Sequence, residues 1–144
     1  MSLIKEIYDV SKDVADVKLQ REAIKRALRI ELKVNHKLLQ DVKLKNLDDN
    51  RRIDIIKKLD MDELREVYKS KFPFSVISNK KVSEQVAERY KVKRLVGKSI
   101  EHLIEALCVS ISYLKKDFDN TNNNLTMKLF FVYKYNGVLI ELLK

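Results

Sequence analysis

Glycine and proline are scarce in this chain of 144 residues, with two of the first and one of the second, and tryptophan is absent. These are the residues that end helices and form tight turns, so their scarcity argues against a strand-rich fold and lets helices run long. The two glycines, Gly97 and Gly137, stand too far apart for a glycine-rich phosphate loop, which excludes Walker-type and dinucleotide-binding fingerprints. A lone Cys108 closes no intramolecular disulfide and, with only two histidines, supplies no structural zinc site of those residue types. We therefore expect no metal, no cofactor and a reducing, cytoplasmic setting. Long hydrophobic runs are missing too. The longest strictly apolar one, Leu129 to Tyr133, falls far short of the ~20 residues that span a bilayer, and early acids at Asp9, Asp13 and Asp16 leave no secretory core. The expectation is a protein neither exported nor membrane-bound.

What the sequence does have is charge and apolar residues in helical rhythm. Thirty Lys plus Arg against 21 Asp plus Glu give a net charge of +9 and a pI near 9.5. Such a balance favours nucleic acid or another polyanion as a partner. Lysine outnumbers arginine 22 to 8, a bias that low-GC coding also produces, and bidentate phosphate recognition favours arginine.

Apolar periodicity predicts a single all-α domain over residues 1–144, a four-helix-bundle-like arrangement with a long N-terminal helix and a second helix divided in two. From Leu3 to about Lys45 nothing interrupts a helix. Its heptad-like seam includes Val14, Val17, Ile24 and Leu28, with polar Glu31 and Asn35 in the same register, and continues to Leu38 and Val42. Asp60 with Glu63 approximates a capping box for a fresh helix ending at Pro73, and Phe72, Phe74, Val76 and Ile77 read as a loop that plugs the core. A third helix is expected from Ser78 or Ser83 through Phe118, with Gly97 inside it. The run DNTNNN at 119–124 marks a turn, and Thr126 can cap a last, heavily apolar helix, expected to be the most buried element.

Two basic clusters are candidate binding sites. Lys18, Lys25, Arg29, Lys33 and His36 project to one stripe of the first helix, a pattern that usually marks a solvated face. Arg89, Lys91, Lys93, Arg94 and Lys98 are denser, with acids only at Glu88 and Glu101, and a bend at Gly97 would add free backbone amides for a phosphate. Tyr90 alone offers this cluster too little aromatic surface to stack bases. His102, beside Glu101 and Glu105, reads as a boundary residue and not a metal ligand, and Cys108 as a small core residue.

Arg29 and His36, with six residues between them, resemble the motif of the HEPN-family ribonucleases. That resemblance implies an all-α, often dimeric protein in which the pair acts on an RNA phosphodiester at the dimer interface. The chain departs from the family in having apolar Ile30 directly after the arginine and in placing the pair in the first helix rather than a late one.

The sequence therefore points first to a non-enzymatic helical interaction module, pairing with a copy of itself or another protein along a seam of Val14, Val17, Ile24, Leu28 and Asn35. The alternative is a basic RNA-directed protein, either a nucleic-acid binder using Arg89 to Lys98 or a HEPN-like ribonuclease using Arg29 and His36.

Overall fold

A computed structural model describes residues 2–4, 17–44, 47–70, 73–120 and 124–144, with the backbone alone for 17–18 and 41–44. Val14 lies outside the described residues. The helices are α1 (Val17–Leu44), α2 (Asp49–Lys58), α3 (Asp62–Lys69), α4 (Phe74–Ile77), α5 (Glu84–Arg89), α6 (Ile100–Asp117) and α7 (Leu125–Leu142), with a 3₁₀ turn at Lys93–Leu95. Among the described residues there is no strand, only an isolated bridge between Lys81 and Ser99, so the chain is all-α. Among the described residues, three long helices and four short ones take the place of the four principal helices expected from periodicity.

The last helix organises the others. Nine of the eighteen residues of α7 are buried, against six of eighteen in α6, because its apolar residues cover most of its circumference. It packs along both α1 and α6. Buried Asn136 donates to the Leu32 carbonyl at 2.7 Å and ties α7 to α1. The carbonyls at its C-terminal end find donors in Ser78 (to Leu142, 2.9 Å), Arg29 (to Leu143, 3.3 Å) and Lys80 (to Lys144, 2.6 Å). Its N-terminus is capped by Asn124, which accepts from the Met127 amide at 3.1 Å, and not by Thr126.

The polar residues in the seam of α1 are caps for its neighbour. Met61, at the N-cap of α3, makes no side-chain capping bond, and Glu63 does not reach back to complete a capping box. The α1 carboxylate of Glu31 instead accepts from the Glu63 and Leu64 amides, both at 2.9 Å. Glu63 in turn accepts from the Leu3 and Ile4 amides at 2.6 and 2.9 Å. One turn along α1, Asn35 exchanges hydrogen bonds with the backbone of Asp60, at 2.6 and 2.9 Å. Ile24, Leu28 and Asn35 are each 0% exposed. They are filled by the chain's own core, so they do not present the surface seam expected of them; of Val17 only the backbone is described.

Two further expectations change. The segment around Pro73 includes a short helix, α4, which lays Ile77 into the core; Phe72 lies outside the described residues. The expected third helix is broken: α5 ends at Arg89 and α6 begins at Ile100. Gly97 lies between them with φ +81, the left-handed region where a Cβ is strained, and is not inside any helix. The Val82 amide donates to the Lys98 carbonyl (3.0 Å) and the Gly97 amide to the Val82 carbonyl (2.9 Å), which closes this connection.

Candidate nucleic-acid interface

The turn after α5 decides where the second basic cluster points. Val92 donates to the Ala87 carbonyl at 2.8 Å and Lys91 to the Glu88 carbonyl at 3.1 Å, the paired bonds of a Schellman ending. That motif requires a left-handed residue, normally glycine; here it is Lys91, at φ 56. Val92 and Leu95 are buried beneath the turn while Lys91, Lys93 and Arg94 stay exposed. Tyr90 sets the spacing to α7. Its ring fills the gap left by Gly137, where an added Cβ would lie 2.7 Å from Cζ and 2.9 Å from Oη.

Opposite these cations, α7 presents Met127, Phe130, Phe131 and Lys134, three to four residues apart and so on one side of the helix. The two walls enclose a groove of about 430 Å³ lined by Lys91, Val92, Lys93, Arg94 and these α7 residues with Tyr135. A neighbouring groove of about 310 Å³ shares Lys91, Phe130 and Lys134 and adds Arg89, Tyr90 and Tyr133. Among the described residues no carboxylate lines either one. The Arg94 guanidinium lies 5.8 Å from the Phe131 ring centre and 5.9 Å from that of Tyr135, and the Lys134 ammonium 4.6 Å from that of Phe130. Phe131 and Tyr135 stack at 3.9 Å. The result is an aromatic floor in which Phe130, Phe131 and Tyr133 are partly exposed and Tyr135 is buried, with cations along its rim.

Of the five clustered cations, Lys91, Lys93 and Arg94 converge on the main groove. Arg89 faces the neighbouring one, where the Glu141 carboxylate holds it at 3.1 Å and is shared with Lys144 at 2.9 Å. Lys98 is exposed and lines neither groove. The backbone amides expected to hold a phosphate near Gly97 are engaged, Gly97 with Val82 and Lys98 with the Leu95 carbonyl at 2.9 Å. Sequence reasoning missed the α7 side of the groove. Phe130, Phe131 and Lys134 read there as part of an apolar helix, and only the fold sets them against residues 91–94.

The first-helix stripe divides. Lys33 is exposed, Arg29 is half-buried and donates to Leu143, and the His36 imidazole stacks on Tyr133 with ring centres 4.5 Å apart. Arg29 and His36 thus both turn toward α7, and His36 touches a tyrosine that lines the neighbouring groove. The side chain of Lys18 is not described. His102 is exposed, and among the described residues no group of three or more His, Cys, Asp or Glu is placed to hold a metal ion.

Two titratable groups beneath the fold are displaced from their ordinary ranges. Burial pushes the Glu31 carboxyl up to about 7, helped by the charges of Asp60 and Glu63 and opposed by its bonds to the Glu63 and Leu64 amides. Burial, with Glu31 nearby, pushes the Cys108 thiol up to about 11, against a smaller opposite effect of Arg65. In the groove wall, burial also raises the Tyr90 phenol.

No family model, curated protein or solved structure matches the chain. Among the described residues no helix is long and apolar enough to cross a membrane.

Proposed function

We propose that this chain binds single-stranded nucleic acid in the groove between residues 89–94 and α7, with RNA the strand to test first. One observation carries the reading: Lys91, Lys93, Arg94 and Lys134, with Arg89 held by Glu141 at the edge, surround the partly exposed rings of Phe130, Phe131 and Tyr133, and among the described residues no carboxylate lines the grooves. Phosphates take the cationic rim and bases the rings, so recognition is by charge and stacking and tolerates sequence. A duplex, whose bases are already stacked on each other, gains nothing from such a floor. The reading stops at binding.

The test is fluorescence anisotropy of a labelled single-stranded 12-mer titrated with protein at several salt concentrations. With three to five phosphates neutralised, log K against log salt falls with a slope of about −2 to −3.5, at about 0.7 per phosphate for single strands. Lys93→Glu with Arg94→Glu abolishes this binding. Salt-insensitive binding, or unchanged binding by that double variant, removes the reading.

A second reading, self-association through the first helix, retains one observation. Leu19, Ile30 and Val34 of α1 are 65%, 54% and 54% exposed, although Ile24, Leu28 and Asn35 of the proposed seam are internal. Light scattering on wild type and Ile30→Asp/Val34→Asp tests it: a defined oligomer that the variant dissolves supports pairing through this outer face, whereas a monomer at high concentration rules it out.

A further inference from the structure

A second opening lies across the ridge formed by Met127 and Phe131. About 350 Å³ in volume, it sits between α6 and α7 and is lined by Val109, Ser110, Tyr113, Leu114, Met127, Lys128 and Phe131. Met127 and Phe131 also line the basic groove, so one pair of side chains separates the two and belongs to both. Val109, Tyr113 and Met127 are 64%, 47% and 68% exposed. Three large apolar side chains left open around one pocket, beside a stacking surface, call for a flat apolar occupant.

From this we infer that the pocket receives an unpaired base of the strand held in the basic groove, an assignment that rests on the nucleic-acid reading above. The lining favours a base over a protein side of mixed chemistry. It holds two aromatic side chains, Tyr113 and Phe131, the Ser110 hydroxyl beside that of Tyr113, one cation, Lys128, and, among the described residues, no carboxylate. The Lys128 ammonium lies 4.4 Å from the centre of the Tyr113 ring, while the Tyr113 hydroxyl is fixed by donating to Asp117 at 3.0 Å. An entering base takes the ring face, and the displaced ammonium meets the phosphate that follows it, exchanging a cation–ring contact for an ion pair. The strand therefore runs from Lys91–Arg94, over Met127 and Phe131, to Tyr113, and the pocket rather than the groove discriminates between bases.

The experiment places 2-aminopurine at successive positions of a 12-mer and follows both its fluorescence and the anisotropy of binding to wild type, Tyr113→Ala and Tyr113→Phe. At one position the wild type quenches the probe. Tyr113→Ala loses that quenching and binds roughly five- to hundredfold more weakly, the range for one stacked base, while Tyr113→Phe retains both. Tyr113 is exposed enough that truncation leaves the core intact, and circular dichroism checks it. If Tyr113→Ala binds and quenches like wild type while Lys93→Glu with Arg94→Glu abolishes binding, the pocket assignment fails and the groove reading stands. A strand that no form of the protein binds removes both. A dimer that Val109→Glu dissolves, with strand binding unchanged, makes the pocket a contact between copies and overturns the inference.

Discussion

The Tyr90 ring occupies the space that a side chain at Gly137 would need, with Cζ only 2.7 Å from where a Cβ would stand. This pairing holds the α5 ending, and with it Lys91 to Arg94, at its distance from α7. Gly137→Ala gains helix propensity of up to about 1 kcal/mol but overpacks the contact by about 1–3 kcal/mol. We expect a net loss of stability in urea unfolding and weaker strand binding, because the ring must move and the cations move with it. Gly137→Ala combined with Tyr90→Ala relieves the clash, so the double variant is more stable than the sum of the two single changes.

Glu31 gives the chain an unusual pH dependence. With its carboxyl raised from 4.5 to about 7, the folded protein holds a proton over a range where the unfolded chain has released it. The stability this proton contributes is complete below about pH 4.5 and is lost as pH rises through about 7, a difference of about 3 kcal/mol at 1.36 kcal/mol per unit. Wild-type stability relative to Glu31→Gln should therefore fall between pH 5 and pH 8, read from urea midpoints at both. A difference that stays level shows that Glu31 titrates normally; one that grows with pH shows that its ionised capping bonds prevail over its burial.

Helix type was legible from the sequence wherever apolar spacing was regular, as in α1, α6 and α7, because burial of one face sets that spacing. The breaks were less legible. The spacing of Val86, Tyr90, Val96 and Ile100 suits a helix, yet the chain turns at Lys91 and Gly97, two left-handed residues of which only one is glycine. Glu31 and Asn35 stand out in the sequence as polar residues in an apolar seam, where they read as part of a pairing surface; their actual partners at residues 60–64 of the same chain depend on tertiary contact. The groove was half legible: the cations of residues 89–94 are visible as a cluster, while the rings opposite them arrive from a helix some forty residues later in the chain.

Cys108 should behave as an inert thiol. With burial pushing it up to about 11, about one molecule in three thousand carries the reactive thiolate at pH 7.5. Reaction with a disulfide reagent is expected to be slow in the native protein and fast in denaturant. Rapid modification at neutral pH without unfolding would show that the α6 face around Cys108 opens to solvent.

The same turn that carries the groove holds a residue its geometry does not favour. Lys91 stands where a Schellman ending calls for glycine, and a left-handed conformation costs a lysine about 1–2 kcal/mol. Replacing it with glycine relieves that strain but adds about 0.5–1 kcal/mol of chain entropy to the unfolded state, so Lys91→Gly is expected to leave stability level or raise it by up to about 1.5 kcal/mol. Its strand binding should weaken, with the salt slope reduced by about 0.7 for one lost phosphate contact. Stability and binding moving in opposite directions at one position is the behaviour of a side chain retained for what it touches outside the fold. Should Lys91→Gly bind as tightly as wild type with an unaltered slope, Lys91 makes no phosphate contact, and the rim of the groove reduces to Lys93, Arg94 and Lys134 with Arg89 at its edge.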